Sequence, residues 1–188
     1  MSVIRAAFGS AALLCVATPA LVVAQDARTV RDGQKDFDFE LGTWTTSVKV
    51  LRNPLSGQKP DWIEFRGTSV VKPLLDGRAN FVELSVASAT GKIEGGSLRL
   101  YNPQTRQWNI NYANLRNGTL TAPVYGGFDG EGRGTFYGQD DVDGRKIVVR
   151  FVITPVSKTE IHFDQAFSAD GGTTWESNWI AVDTLRKN

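Results

Sequence analysis

The stretch Asp36-Phe37-Asp38-Phe39-Glu40-Leu41-Gly42-Thr43-Trp44 leads into the first run of the chain that is typical of a β-strand. The last such run is Asn178-Trp179-Ile180-Ala181-Val182-Asp183-Thr184-Leu185-Arg186, near the other end of the chain. A closed β-barrel leaves no free sheet edge, because its first strand pairs with its last. We therefore predict that these two distant stretches lie side by side as neighbouring strands.

Between these stretches the chain alternates short runs rich in β-branched and aromatic residues with turn residues, and no segment keeps a helical period. Asn117-Gly118 is a strong hairpin signal, and Pro123 predicts a bend in the strand that follows. The ten predicted strands are 43–51, 62–71, 79–88, 97–101, 107–114, 119–128, 133–139, 146–153, 160–167 and 174–185. This pattern favours an all-β fold, a single antiparallel up-and-down β-barrel. An open sandwich is the alternative.

Residues 1–24 are typical of a secretory signal peptide, since Arg5 precedes an apolar run that closes on Val22-Val23-Ala24. Small and polar residues interrupt that run, so it is a poor membrane span and no stable membrane insertion is expected. We predict cleavage near Ala24 and a secreted, periplasmic protein. Residues 25–36 lack an apolar period and are predicted to be a flexible leader before a barrel domain over 37–188.

Residue counts exclude several classes of function. The chain has 21 Lys and Arg and 20 Asp and Glu residues, and Arg5 is the only charged residue of the signal peptide, so the remainder is nearly neutral. Nucleic acid is therefore not an expected partner. The only cysteine, Cys15, also lies in the signal peptide, which excludes disulfides from the remainder. A single histidine, His162, excludes metal sites built from several histidines, and no bound metal is predicted.

The two ends of the predicted barrel carry a resemblance to known proteins. Gly42-Thr43-Trp44 and Arg186 resemble the calycin pattern of lipocalins and their relatives, in which an Arg from the end of the last strand covers the first-strand Trp. The resemblance implies a calycin-like barrel closed by Arg186 over Trp44, and such a contact contributes about 0.5 to 2 kcal/mol. Residues 39–44, 101–103 and 168–176 also resemble an uncharacterised family of secreted bacterial proteins, which implies no activity.

Ser168-Ala169-Asp170-Gly171-Gly172-Thr173-Thr174-Trp175 matches the Asp-box, S-x-D-x-G-x-T-W, of sialidases and similar propellers. The resemblance implies a hairpin brace, in which Asp170 accepts backbone hydrogen bonds, Gly172 supplies an unusual backbone angle and Trp175 packs beneath. The remaining motif positions are Ser168 and Thr174. A propeller carries several such boxes in a longer chain, so we predict a structural brace and not a sialidase.

Two further motifs suggest bound groups only weakly. Residues 139–144 partly resemble a calcium loop, but Arg150 stands where the bidentate Glu belongs, which favours a solvated acidic hairpin. His162 is a conceivable axial ligand of haem, as in the nitrobindins, which are calycin-like barrels. A single ligand without further motif is weak evidence. No cofactor is therefore predicted, and haem is kept as the alternative.

Three charged residues interrupt apolar runs: Glu83, Arg99 and Arg150. Strand alternation places each on one face, which is either the solvent side or the inside of a partly wet barrel. Ten strands are wide enough to enclose a cavity. Inside it these charges would hold the polar head of a ligand, with aromatic walls predicted from Trp62, Tyr101, Trp108, Tyr112 and Tyr137. The predicted function is binding of a small apolar or amphipathic molecule.

Two other functions remain open. A barrel enzyme, a hydrolase or isomerase, would use Glu83 or the pair His162 and Asp164, which share a strand face as acid and base. The chain has no nucleophile elbow, phosphate-binding glycine loop or paired-histidine motif to support catalysis. The second alternative is a scaffold with a filled core that binds another protein. A cavity lined by the three charged residues would favour the binding protein, and a pocket at His162 would favour the enzyme.

Overall fold

The structure is a computed structural model that describes residues 31–187. The predicted signal peptide, its cleavage site and the first part of the predicted leader lie outside the described residues. The strands are β1 (Gly42–Leu51), β2 (Trp62–Leu74), β3 (Ala79–Ser88), β4 (Gly91–Asn102), β5 (Gln107–Asn114), β6 (Thr119–Leu120), β7 (Val124–Phe128), β8 (Gly134–Val142), β9 (Arg145–Ser157), β10 (Glu160–Ser168) and β11 (Glu176–Leu185). Two 3₁₀ helices span Asp38–Glu40 and Leu75–Gly77. Over residues 31–187, no helix has the length and apolarity to cross a membrane.

All strands pair antiparallel in one sheet that closes on itself. Each strand pairs with its neighbour in sequence, except that β5 pairs with β7 and the short β6 adds to the end of β5. The ring closes where β1 pairs with β11, with Trp44 opposite Leu185 and Val48 opposite Ala181. The predicted single antiparallel barrel and the predicted pairing of its two ends are confirmed.

Most observed strand boundaries agree with those predicted from the sequence, and the exceptions have local structural causes. β4 begins at Gly91 and not at Ser97, because the glycine-rich segment continues the hairpin with β3. The strand predicted over 119–128 is split into β6 and β7, since Pro123 has no N–H to donate to a sheet. The last strand begins at Glu176, because the residues before it belong to the loop of the Asp-box.

One end of the barrel is filled by aromatic side chains from the segment before β1, and we call this end the floor. Phe37 is 1% exposed. Its ring lies 4.9 Å from the ring of Trp108, 4.9 Å from that of Phe128 and 5.9 Å from that of Phe136. The floor therefore belongs to the hydrophobic core and closes one end of the barrel.

The part of the predicted leader that the structure describes is held against this floor. The N–H of Gly33 donates to the hydroxyl of Tyr101 over 3.1 Å, and Trp108 Nε1 donates to the carbonyl of Gly33 over 2.8 Å. Arg31 also forms an ion pair with Asp36. Residues 31–36 of the predicted leader therefore contact the floor, and the flexibility of residues 25–36 stays a prediction. These contacts use the backbone of Gly33 and the charged side chains of Arg31 and Asp36, so they leave no apolar period in the sequence.

The closure of the floor also differs from the calycin expectation for Arg186. Trp44 is 1% exposed, and its Nε1 donates to the carbonyl of Glu40 over 2.7 Å. The side chain of Arg186 is exposed, and its backbone N–H donates to the carbonyl of Thr43 over 2.9 Å. Within residues 31–187, the guanidinium that stacks on a floor ring is that of Arg99, 4.3 Å over Phe37. The segment before β1 covers Trp44 in place of Arg186.

The Asp-box forms the loop between β10 and β11. Asp170 accepts hydrogen bonds from the hydroxyl and the N–H of Thr174, and these bonds hold the pKa of its carboxyl well below the ordinary value. Ser168 Oγ accepts from the N–H of Gly172 over 2.8 Å, and Trp175 Nε1 donates to the carbonyl of Gly172 over 3.0 Å. Gly172 has a φ of 95°, which favours glycine. The loop is a hairpin brace held by hydrogen bonds among its own residues.

Candidate functional site

A cavity of about 330 Å³ lies inside the barrel above the aromatic floor. Alternate residues of each strand point inward, and above the floor many of these are small or aliphatic, so the interior is not filled. The apolar lining residues are Val48, Val82, Leu84, Ile110, Ala122, Val124, Val149, Phe151, Phe163, Phe167, Trp179 and Ala181. The wall of the cavity is thus largely apolar.

The bottom of the cavity carries a buried ion pair. Arg99 Nη1 lies 2.6 Å from Glu40 Oε2, and Arg99 Nη2 lies 3.0 Å from Glu40 Oε1. The side chains of Arg99 and Glu40 are only 3% and 1% exposed. Such a bidentate pair orients both groups and cancels their charges within the barrel. Arg99 therefore contributes no net positive charge to the cavity.

Asp183 of β11 stands beside this ion pair and also lines the cavity. It is 3% exposed, and its Oδ1 has no hydrogen-bond partner in the part of the chain that the structure describes. Burial raises the pKa of Asp183 to about 7; the charge of Glu40 adds to the rise, while the hydroxyls of Thr46 and Ser69 and the charge of Arg99 oppose it. The carboxyl of Asp183 thus changes charge near neutral pH.

Two hydroxyl residues complete this polar group at the bottom of the cavity. Thr46 Oγ1 and Ser69 Oγ lie 2.7 Å apart on the neighbouring strands β1 and β2. Thr46 faces Asp183 directly in the β1–β11 register. We call Glu40, Thr46, Ser69, Arg99 and Asp183 together the polar base of the cavity.

The other end of the cavity is its mouth, where polar residues reach solvent. Gln139 and Asp140 are exposed lining residues at the end of β8. The N–H of Tyr112 donates to Thr121 Oγ1 over 3.0 Å, and the N–H of Thr121 donates to the carbonyl of Tyr112 over 2.9 Å. These bonds hold the segment before β7 beside the mouth. A Cβ on Gly95 would lie 2.2 Å from the Tyr112 hydroxyl, so a glycine there leaves room for this ring.

Two of the predicted ligand-binding residues line the cavity, namely Arg99 and Tyr112. Tyr101 and Trp108 are inside the barrel but belong to the floor, where both contact Gly33. Their indole and phenol groups support the leader segment below the cavity. The sequence could not separate these two roles, because all four side chains alternate inward on β4 and β5.

The other predicted ligand-binding residues lie on the outside of the barrel. Glu83 and Tyr137 are exposed, and Trp62 is 37% exposed at the start of β2. Arg150 pairs with Tyr137 across β8 and β9, and its guanidinium lies 4.5 Å over the ring of Trp175. The expected group of Glu83, Arg99 and Arg150 therefore does not form. Strand alternation turns only Arg99 inward.

His162 and Asp164 share the outer face of β10. His162 Nε2 lies 2.7 Å from Glu160 Oε1, and Asp164 accepts a hydrogen bond from Ser177 over 2.7 Å. The inward residues of the same strand include Phe163, which lines the cavity. Residues 31–187 contain no group of three or more His, Cys, Asp or Glu side chains placed to hold a metal ion.

Sequence reasoning missed four of the five residues of the polar base. Asp183 and Thr46 are polar residues on strand faces that are otherwise apolar, so their polarity suggests the solvent side although they point inward. The 3₁₀ helix before β1 turns Glu40 inward, and no periodic pattern of residues predicts this short helix. The signal available in the sequence was a carboxylate in the apolar run Ala181-Val182-Asp183.

No protein-family model and no curated protein matches the chain. Among solved structures, it is similar to the S-type phycobiliprotein lyase of Guillardia theta, with a TM-score of 0.59 and 9% identity over 84% of this chain and 94% of the lyase. The structure of EF1p2_mFAP2b bound to DFHBI matches with a TM-score of 0.41 and 12% identity over 82% of this chain and 99% of that one. At sequence identities this low, the similarity shows the fold alone. The fold is a calycin-like, lipocalin-type β-barrel.

Proposed function

We propose that this protein binds a small amphipathic molecule inside its barrel, as a secreted, periplasmic protein. The observation that carries the proposal is the cavity of about 330 Å³ with an apolar wall and a polar base. Pockets for small molecules have volumes of about 300 to 1,000 Å³ and combine apolar walls with few polar groups. The volume of this cavity therefore fits a ligand at the small end of that range.

The unfilled interior supports binding for an energetic reason. An empty apolar cavity lowers stability, because the side chains around it lose dispersion contacts. A buried carboxyl oxygen without a partner, such as Oδ1 of Asp183, adds a further cost. A ligand with an apolar body and a polar head offsets both. The cavity also argues against the alternative of a scaffold with a filled core.

The different chemistry of the two ends of the cavity defines the orientation of such a ligand. The polar base is at the floor, and the mouth is at the opposite end beside Tyr112 and Asp140. The head of the ligand would therefore enter first and reach the polar base. The apolar body would contact the wall around Phe151, Phe163 and Trp179.

The periplasmic location is proposed from the sequence of residues 1–24, which has the features of a signal peptide. Fractionation of cells that express the whole chain tests it. Recovery from the periplasm, with a mass that lacks residues 1–24, is expected. Protein that stays in the cytoplasm at full mass would contradict this part of the proposal.

Binding is tested by native mass spectrometry of protein purified from the periplasm, followed by denaturation and identification of what is released. We expect a co-purified small molecule, or a rise in melting temperature with at least one member of a panel of fatty acids, alkyl amines, quinones and haem. If nothing is released and the melting temperature does not change with any compound, the proposal is wrong.

A further inference from the structure

We infer that the interior site selects ligands with a cationic, hydrogen-bond-donating head, such as a primary ammonium, and that Asp183 is the group that receives it. The inference rests on the proposed function, because it names the chemistry of the ligand for that same cavity. It concerns the head group alone and leaves the apolar body of the ligand open.

The ion pair at the polar base argues against an anionic head. Each terminal nitrogen of Arg99 donates one N–H to Glu40, and this bidentate pair balances the positive charge of the guanidinium. Its Nε is buried without a hydrogen-bond partner among residues 31–187, and its Cζ lies 4.3 Å over the ring of Phe37. Arg99 is the only Lys or Arg among the described residues that line the cavity. A carboxylate head would therefore add a further negative charge beside Glu40 and Asp183, where the single guanidinium is already paired.

Asp183 is the acidic residue of the polar base that has an unpartnered oxygen within residues 31–187. It is more than nine-tenths buried, it lines the cavity, and its Oδ1 receives no hydrogen bond within residues 31–187. With Arg99 and Glu40 cancelling each other, an ionised Asp183 leaves the polar base with a net negative charge. An ammonium has three donors, and it can reach this carboxylate and the oxygens of Thr46 and Ser69. A cationic head thus satisfies both the charge and the hydrogen-bonding capacity of the polar base.

The same geometry makes binding of an ammonium depend on pH. The ionisable groups that face Asp183 are Glu40 and Arg99, and Asp140 lies farther away at the mouth. Burial raises the pKa of Asp183 to about 7, whereas an alkyl ammonium stays protonated up to about pH 10. An increase in pH from 6 to 8 ionises Asp183 and should strengthen ammonium binding about 10-fold. A neutral alcohol has no such dependence.

The test compares three ligands with the same tail, decylamine, decanol and decanoate, by calorimetry at pH 6 and pH 8. Decylamine should bind more tightly than decanoate at pH 8, by at least about 10-fold, and only decylamine should gain affinity as the pH rises. In Asp183→Asn, decylamine should lose both its advantage and its pH dependence, while decanol still binds. Glu83→Gln removes a carboxylate from the outer face of β3 and is the matched control, in which the preference is kept.

The outcomes separate this inference from the proposed function. If decanoate binds as tightly as decylamine at pH 8, or if Asp183→Asn keeps the preference for decylamine, the inference is wrong but binding in the interior stands. If none of the three ligands binds, the interior site fails and the inference fails with it. If Asp183→Asn does not fold, the natural protein still tests the inference. It should then prefer decylamine to decanoate at pH 8 and bind decylamine more weakly at pH 6.

Discussion

The polar base shows how single residues inside the barrel depend on one another. Removing a carboxylate and a guanidinium from water costs several kcal/mol per group, and their attraction offsets this only when the geometry is good. Arg99 and Glu40 meet that condition with two hydrogen bonds. Asp183 has no such partner in the described chain, and its carboxyl is protonated through most of the acidic range.

The buried pair predicts a non-additive mutational effect. Arg99→Met leaves the carboxylate of Glu40 buried without its partner and should lower the free energy of unfolding by about 3 to 5 kcal/mol. The double variant Arg99→Met, Glu40→Gln should recover a large part of that loss, because no buried charge is left alone. Urea denaturation followed by far-ultraviolet circular dichroism measures both. A loss of less than about 1 kcal/mol in the single variant would contradict the pairing.

Asp183 predicts a stability that falls as the pH rises. Its ordinary pKa is 3.8 and burial raises it to about 7. Between these values the unfolded chain releases the proton and the folded chain keeps it, so this group's stabilisation is lost as the pH rises to about 7. Asp183→Asn removes the effect, and its advantage over the natural protein should grow by about 2 to 3 kcal/mol between pH 5 and pH 8. An advantage that stays constant across urea titrations at the two pH values would refute the assignment.

At the scale of the strands, a position must be glycine where the backbone of the neighbouring strand leaves no room for a Cβ. β7 carries two adjacent glycines, Gly126 and Gly127, with very different surroundings. A Cβ on Gly126 would lie 1.9 Å from the carbonyl oxygen of Thr135 on β8, whereas a Cβ on Gly127 would meet nothing within 4 Å. The pairing of β7 with β8 therefore depends on the first glycine alone.

The two glycines give a matched pair of variants. Gly126→Ala should destabilise the protein by at least about 2 kcal/mol, because a backbone carbonyl cannot move aside without shifting the strand. Gly127→Ala should change stability by less than about 1 kcal/mol. Thermal melts of both purified variants make the comparison. Equal melting temperatures would mean that β7 does not approach β8 as the structure has it.

At the scale of the whole molecule, the floor and the mouth divide the barrel into a packed part and a binding part. The floor joins the segment before β1 to closely packed aromatic side chains of β5, β7 and β8. The half above it keeps the cavity. A ligand that binds only the folded state at 100 times its Kd would add about 2.7 kcal/mol of stability.

Filling the cavity predicts a loss of binding without a loss of fold. Ala181 points inward on β11 and lines the cavity, so Ala181→Leu should remove the melting-temperature increase that the natural ligand causes. Ala87 is exposed on β3, and Ala87→Leu adds the same volume outside the barrel as the control. The melting temperature of each variant is measured with and without the released ligand. An undiminished ligand response in Ala181→Leu would exclude the interior as the binding site.

The sequence by itself determined the strands, the turns and the pairing of the two ends of the barrel. Alternation of apolar residues and turn residues such as Asn117-Gly118 are local properties, and closure follows because ten consecutive antiparallel strands leave two edges to satisfy. Tertiary structure alone decided which face points inward. A strand such as β11 has apolar residues on both faces, and a shift of one residue in register exchanges them.

Tertiary structure also decided the partners at the floor. Arg99 pairs with Glu40, 59 positions away in sequence. The segment that contains Glu40 also covers Trp44, where the calycin pattern implied Arg186. Such contacts join segments that are distant in sequence, so no local pattern of residues encodes them. The chemistry of the site therefore depends on the curvature of the sheet, which places Asp183 beside the ion pair of Arg99 and Glu40.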